Sequence, residues 1–275
     1  MPRLALAGIA ATAVLLAGCS WGGSQPSASA TSPATPEASV TAASPSASST
    51  PAPSIDTDVR VIDLGEHGSY GVVTLPLDAW DVRVDWPQDP DGTDLAEYIA
   101  SHPGIGALTN AGIFSENLRP GGLLVADGEQ LRELNLSDGA GNFHLKPNAV
   151  FEIRDDGSAA VVDSTEYAPG GVSQATQSGP ALILDGEIHP EFREGSANTA
   201  IRSGVGVSPD GRTVYLAITR TYVNLWDFAA MFRDQLGVED ALYLDGQISQ
   251  LWVSGNTEPS SFLGPYAGVI AAYPR

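Results

Sequence analysis

Short apolar runs, each bounded by Gly, Pro, Asn or Asp, follow one another from Val59 to the end of the chain. Alternation of polar and apolar residues with a period of two marks a strand with one buried face. It is clearest in Val59–Leu64 and Val82–Trp86, and Gly71–Leu75 between them reads as a third strand. The same reading places strands at Leu123–Ala126, Phe151–Arg154, Ala181–Leu184, Val205–Val207, Val214–Ile218, Ala241–Leu244, Ser249–Val253 and Tyr266–Ala272, and a buried run at Ala107–Phe114. Asp185-Gly186 is a two-residue hairpin turn, Pro209-Asp210-Gly211 turns a second hairpin, and Asp155-Asp156-Gly157 closes the Phe151 strand.

Two segments change to helical spacing. Leu95, Tyr98 and Ile99 lie on one face of Thr93–Ser101, with Thr93 or Asp94 as the cap. Leu225–Leu236 carries a stripe of Leu225, Phe228, Ala229, Phe232 and Leu236; Asn224 is placed to cap it, Asp227 lies in its first turn and Gly237 follows its last. This helix leads into the strand Ala241–Leu244, and Asp245 lies just past that strand's end. Short strands with few helices and no internal repeat predict an α+β fold, a mixed β-sheet with helices packed on one side. Residues 55–275 are long enough to form one large domain with its own core.

The first 54 residues read differently. Arg3, the apolar segment Leu4–Leu16 and the small residues that follow form a targeting signal. The apolar segment is shorter than the roughly 20 residues that span a bilayer. Leu16-Ala17-Gly18-Cys19 resembles a bacterial lipobox, in which the cysteine is lipidated and becomes the first residue after cleavage; the alternative is an ordinary secretory signal that contains a cysteine. Cys19 is the only cysteine in the chain, which excludes an intramolecular disulfide and a cysteine-based zinc site. Residues 1–18 are therefore expected to be a signal peptide and Cys19 the lipidation site. Residues 19–54, nearly all Ser, Ala, Thr and Pro with Glu37 as the sole charge, are expected to be a disordered linker. This layout predicts an extracellular domain anchored to the cell membrane by lipid.

Charge narrows the choice of ligand. The formal net charge is -20, so the mean field repels nucleic acid and anionic headgroups, and no nucleic-acid partner is expected. An anionic substrate then needs a local cationic pocket, which makes arginines in glycine-rich segments informative. Arg202 in AIRSGVG has a rigid fork suited to bidentate phosphate contact; its alternative is a surface salt bridge. Asp245 in LDG can act as base, nucleophile or electrostatic partner of a developing cation, or be a turn residue, and Gly246 beside it admits substrate to the backbone. Asn110 in TNAGIF can orient a water or hold sugar hydroxyls, or satisfy its own backbone. Gln177, Ser178 and Gly179 offer an amide, a hydroxyl and a backbone N–H, or form a polar loop before Pro180. Arg193 and Arg220 read as surface residues, and Asn142 and Phe143 as turn and core. His67, His102, His144 and His189 show no metal-ligand spacing, and no cofactor or metal is expected.

TNAGIF, NFHLKPN, QSGPALILDG, NTAIRSGVGV, DGRTVYLAI and YLDGQIS occur in this order along the chain. Together they resemble the phosphodiester glycosidase family over about Gly104–Arg275. Gln247 departs from the family pattern, which has a second glycine there. The resemblance implies a hydrolase acting on a phosphate-linked glycan or small sugar phosphodiester. Asp245, Arg202 and Asn110 would be catalytic, and Gln177, Ser178, Gly179 and Gly246 would bind substrate. A phosphate monoester departs without much protonation, so such a site needs less of the general acid used by ordinary glycosidases. Two rival readings remain at this point: a phosphodiesterase attacking phosphorus, and a non-catalytic glycan-binding lipoprotein.

Overall fold

The computed structural model describes residues 58–87, 91–246, 248–255 and 266–275. The signal, Cys19, the linker and Gln247 lie outside the described residues. In chain order, β1 (Arg60–Asp63), β2 (Ser69–Pro76) and β3 (Trp80–Asp85) precede α1 (Leu95–Ser101). Then come β4 (Ala107–Asn110), β5 (Leu124–Ala126), β6 (Glu129–Arg132), β7 (Ala149–Arg154), β8 (Ala159–Asp163), β9 (Val172–Ser178), β10 (Ala181–Leu184) and β11 (Glu187–Ile188). The series ends with β12 (Ser203–Val207), β13 (Thr213–Thr219), α2 (Leu225–Leu236), β14 (Asp240–Asp245), β15 (Leu251–Val253) and β16 (Val269–Pro274).

These strands form three sheets. A seven-stranded sheet has the order β1-β2-β13-β12-β14-β10-β11, a five-stranded sheet β6-β5-β9-β7-β8, and a four-stranded sheet β15-β4-β16-β3. Each named pairing is antiparallel. The expected single mixed α+β sheet is thus corrected to a β-rich fold of three antiparallel sheets with two α-helices among the described residues. The physical reason lies in the connections. Short turns join five of the named pairs, which makes those antiparallel; the other pairs, such as β2 with β13 and β3 with β16, join strands far apart in the chain, which no local pattern records.

The seven-stranded sheet is buried on both faces, and the alternation of side chains sorts its residues. Val73 and Leu75 of β2, Val205 and Val207 of β12, and Leu242 and Leu244 of β14 share one core with Phe151 and Ile153 of β7, Val82 and Val84 of β3, and Ile270 of β16. The opposite face carries Val72, Ala241 and Tyr243 into a second core with Phe228, Ala229, Met231 and Phe232 of α2. β12 meets the helix through glycines: a Cβ on Gly204 would lie 3.1 Å from the Phe228 ring, and one on Gly206 would lie 2.8 Å from Phe232. The small residues of this strand let α2 pack onto the sheet.

α1 starts at Leu95, after Asp94 rather than Thr93 as cap, and α2 spans the expected Leu225–Leu236. Asp94 caps α1 by accepting from Ala96 N (2.8 Å) and Glu97 N (3.1 Å). Asn224 caps α2 by accepting from Asp227 N at 2.9 Å, and Gly237 closes it in the left-handed region at φ 65°. The Asp185-Gly186 hairpin is also present, with both residues at positive φ (51° and 78°) between β10 and β11. β9 was not expected. Its sequence VSQATQS is polar, yet six of its seven residues are buried. Gln174 Oε1, for example, accepts from Val84 N of the neighbouring sheet at 3.1 Å.

Candidate active site

Antiparallel pairing of β12 with β14 places the start of one strand beside the end of the other. Ser203 is the register partner of Asp245, so Arg202, one residue before β12, and Asp245, the last residue of β14, emerge at the same sheet end. A cavity of about 580 Å³ opens there, a size typical of small-molecule sites. Arg202, Tyr243, Asp245 and Gly246 line it from the sheet, Ile113–Glu116 from the segment after β4, Asn142 from the turn before β7, and Asn198 and Ala200 from the loop before β12.

Arg202 is buried, at 3% exposure. Its Nε donates to Val223 O at 2.7 Å, one terminal nitrogen donates to Asn198 O at 2.9 Å, and its Cζ lies 5.7 Å from the Tyr243 ring centroid. Among the described residues no carboxylate lies within ion-pair distance of it. Burial pulls its pKa below the ordinary arginine range, with Tyr243 opposing, but a guanidinium stays charged in proteins. A buried cation held by neutral carbonyls and an aromatic face is costly unless something anionic completes it. The surface salt-bridge alternative does not describe Arg202.

Asp245 is half-buried and accepts from Ile248 N at 3.2 Å; its backbone carbonyl accepts from Ser249 Oγ at 2.6 Å, which fixes the loop leaving β14. Tyr243, two residues earlier on the strand, lines the same cavity as Asp245. Burial is the main cause that pushes its phenol pKa up to about 12, with Asp245 adding to the rise and Arg202 and Asn142 opposing it. The phenol is therefore protonated at neutral pH and available as a donor. A Cβ on Gly246 would meet the Tyr243 hydroxyl at 2.2 Å, so only glycine leaves that oxygen in place.

The structure brings Arg202, Asp245 and Gly246 together and places the other expected site residues behind the cavity wall. Asn110 is buried at the end of β4, where its Oδ1 accepts from Gln250 N at 3.3 Å and its Nδ2 donates to Ala111 O at 3.3 Å. Gln177 Oε1 accepts from Leu123 N (3.0 Å) and Asn135 N (2.9 Å), while its Nε2 donates to Asn135 O (2.8 Å) and Ser164 Oγ (3.0 Å). Ser178 Oγ accepts from Ile113 N at 3.1 Å and donates to Leu244 O at 3.3 Å. Gly179 passes so close to the turn before β7 that a Cβ would lie 2.7 Å from Phe143 O. Ser178 thereby anchors the segment that supplies Ile113–Glu116, and Gly179 seats the turn that supplies Asn142. Gln177 and Ser178, expected to bind substrate with a polar loop as the alternative, form instead the buried end of β9.

Tyr243, Glu116, Asn142 and Asn198 line the cavity without having been singled out as site residues. Phe143 is core as expected, but its neighbour Asn142 faces the cavity. Tyr243 stood inside an apolar strand run, where an aromatic reads as core. Glu116 follows TNAGIF by two residues, and Asn198 opens NTAIRSGVGV; closeness to a motif was their only signal. Arg193 donates to Pro190 O (2.7 Å) and Phe192 O (3.1 Å), and Arg220 is exposed. His144 bonds Ser137 O at 3.0 Å, and His189 is buried against Phe192. Among the described residues no group of three His, Cys, Asp or Glu is arranged to hold a metal ion.

A β-rich scaffold thus presents a buried arginine, a carboxylate and amides to one cavity. The chain belongs to the phosphodiester glycosidase family, whose model matches residues 104–269. It is 37% identical over 161 residues to the uncharacterized protein YigE of Escherichia coli (strain K12), a match covering 58% of this chain and 63% of that one. The chain thus spans less than two thirds of that relative. The fold is similar to the zebrafish N-acetylglucosamine-1-phosphodiester alpha-N-acetylglucosaminidase catalytic domain auto-inhibited by pro-peptide. There the TM-score is 0.56 and the identity 21%, over 80% of this chain and 83% of that domain. A hypothetical protein from Synechocystis has the same fold at TM-score 0.51 and 16% identity, over 79% of this chain and 61% of its own.

Proposed function

We propose that this protein is an extracellular, membrane-tethered hydrolase that removes a sugar from a sugar-1-phosphodiester. The observation that carries the reading is Arg202: a buried guanidinium, unpaired with any described carboxylate, opening into the cavity that Asp245 also lines. Arg202 suits the phosphate, whose negative charge completes its environment. Asp245 suits the anomeric centre, either activating water or stabilising the positive charge that builds as the C–O bond lengthens. The Tyr243 phenol, protonated at neutral pH, is a further donor. In the reaction the anomeric C–O bond breaks and its electron pair leaves with the phosphate; water supplies the new hydroxyl of the sugar, and its second proton passes through Asp245 or solvent to the released phosphate monoester. The products are a free sugar and a phosphate monoester.

Hydrolysis of a sugar-1-phosphodiester in ¹⁸O water tests the position of attack. Label in the released sugar is the expected result; label in the phosphate would convert the reading to a phosphodiesterase, and no turnover would leave a glycan-binding protein. The tether rests on the LAGC tetrad around Cys19. Cys19→Ala in the full chain is expected to leave an active domain that no longer partitions with membranes, and unchanged partitioning would remove the lipid anchor from the proposal.

A further inference from the structure

The carbonyl of Val223 holds the Arg202 guanidinium, and a separate set of contacts holds Val223. Val223 pairs with Ala200 through two backbone bonds, Ala200 N to Val223 O at 3.1 Å and Val223 N to Ala200 O at 3.0 Å. Ala200 and Arg202 line the large cavity, whereas Val223 and Asn224 line a second one together with His67 and Asp227. The Ala200–Val223 pair thus forms a wall between the two. The turn between β1 and β2 presses on that wall. Gly68 passes so close that a Cβ would lie 2.5 Å from the Val223 side chain, and its φ of 101° favours glycine. Ser69 N donates to Thr221 Oγ1 at 3.0 Å, and Ser69 O accepts from Arg220 N at 2.7 Å. His67 Nδ1 meets Asp227 Oδ1 at 2.9 Å, while Asp227 Oδ2 accepts from Asn224 Nδ2 at 2.7 Å. Asn224, the cap of α2, is the residue that follows Val223. The turn precedes residues 104–269, the stretch that the family model matches.

We infer that His67 and Asp227 are positioning residues for the anion site: their contact braces residues 220–224, so that Val223 O stays fixed against the Arg202 guanidinium. This rests on the reading of Arg202 as the phosphate grip. A guanidinium that spends donors on backbone carbonyls is aimed only as firmly as those carbonyls are held, and aim decides how well a fork meets an anion. Val223 lies in a connection, and connections move unless tied down. The tie here is adjustable, because the His67 side chain is 62% exposed and that of Asp227 only 11%. The groups that face His67 are Asp227 from α2, Glu194 from the loop before β12, Glu66 from its own turn and the Tyr222 phenol; no lysine or arginine lines this cavity. The bond to Asp227 is the main cause that raises the His67 pKa above 6.5, with the charges of Asp227, Glu194 and Glu66 adding to it. The contact is therefore charge-assisted below that raised value and loosens as pH rises through it.

Hydrogen exchange at the Arg202 Nε–H, followed by NMR in the full chain, reads the brace without any ligand; its signal is the one that Arg202→Lys removes. At about pH 6, His67→Ala is expected to quicken this exchange about threefold, the scale of one exposed ion pair. Asp227→Ala is expected to quicken it about tenfold, because the Asn224 amide is freed as well. Asp227→Asn keeps the size of the side chain and an oxygen towards His67, so it guards against misreading a folding defect and is expected to fall between native and Asp227→Ala. Calorimetry with sulfate, whose charge is constant over this range, reads the anion site. Affinity is expected to fall by the same factors at about pH 6, and the difference between native and His67→Ala to vanish by about pH 8.5, where the native imidazole is neutral. Native exchange rates in both alanine variants overturn the brace. So does a sulfate affinity that depends on Arg202 but not on His67 or Asp227, or a His67→Ala deficit that is the same at both pH values. If native protein and Arg202→Lys handle sulfate alike while exchange responds as stated, the brace stands and the reading of Arg202 as the phosphate grip fails.

Discussion

Tyr243 touches both charges of the site. Its ring lies under the Arg202 guanidinium, its pKa responds to Arg202 and to Asp245, and its hydroxyl packs against the backbone at Gly246. Tyr243→Phe keeps the ring and removes the hydroxyl, so kcat/KM for a sugar-1-phosphodiester is expected to fall about tenfold, the worth of one hydrogen bond to a charged group. An unchanged value would leave Tyr243 as packing. Asp245→Asn keeps size and removes charge. The rate is expected to fall by at least about 10²-fold, the low end for one positioned acid–base group; near-native turnover would make Asp245 a turn residue. Arg202→Lys keeps charge but loses the fork, so turnover is expected to drop. Because Arg202 is buried, this change also strips donors from Asn198 O and Val223 O. A loss of about 1–3 kcal/mol in denaturant unfolding is expected with it. Arg202, Asp245 and Gly246 were legible because polar groups beside glycine at the ends of apolar runs stand out. Tyr243 was not, because its position in an apolar strand hid which face it points to.

At the scale of elements, α2 was readable to the residue and α1 to within two residues of its start, since capping, periodicity and the closing glycine are local properties of the chain. The polar strand β9 was not readable. Gln174, Gln177 and Ser178 are buried there with partners on other sheets and loops, and hydropathy carries no record of such partners. The contact of α2 with β12 also depends on a partner distant in sequence. Gly206→Ala puts a methyl group 2.8 Å from the Phe232 ring and 3.1 Å from Val238. It is expected to destabilise the protein by about 1–3 kcal/mol, as overpacking does. It is also expected to lower activity, because β12 and its partner β14 present Arg202 and Asp245. Equal urea midpoints for variant and native protein would show that the helix moves aside freely.

For the whole molecule, acid stability offers a readout of the core beneath the site. Burial holds His189 below its ordinary pKa of 6.5, and its Nε2 is buried without a hydrogen-bond partner. The unfolded chain therefore takes up a proton before the folded one does. The His189 contribution is fully present above about pH 6.5 and is lost as pH falls towards the depressed folded-state value. His67 acts in the opposite sense: its bond to Asp227 raises its pKa, so its smaller, exposed contribution is lost as pH rises. Urea midpoints measured at about pH 7.5 and about pH 5 are expected to drop in acid for the native protein and to drop less for His189→Gln. The same drop in both would remove His189 as the cause.

The sequence by itself determined the helices, the hairpin turns, the acidic surface and the family, because each depends on residues near one another in the chain or on simple sums over it. It also pointed to Arg202 and Asp245 as candidate groups. Only the tertiary structure decided that the single mixed sheet is three antiparallel ones. It alone decided that Asn110, Gln177 and Ser178 hold up the wall of the cavity while Tyr243, Asn142, Asn198 and Glu116 line it. Strand pairing and side-chain direction bring together residues far apart in the chain, and a one-residue change of register turns a side chain from cavity to core. That information resides in the contacts between elements and not in any one of them.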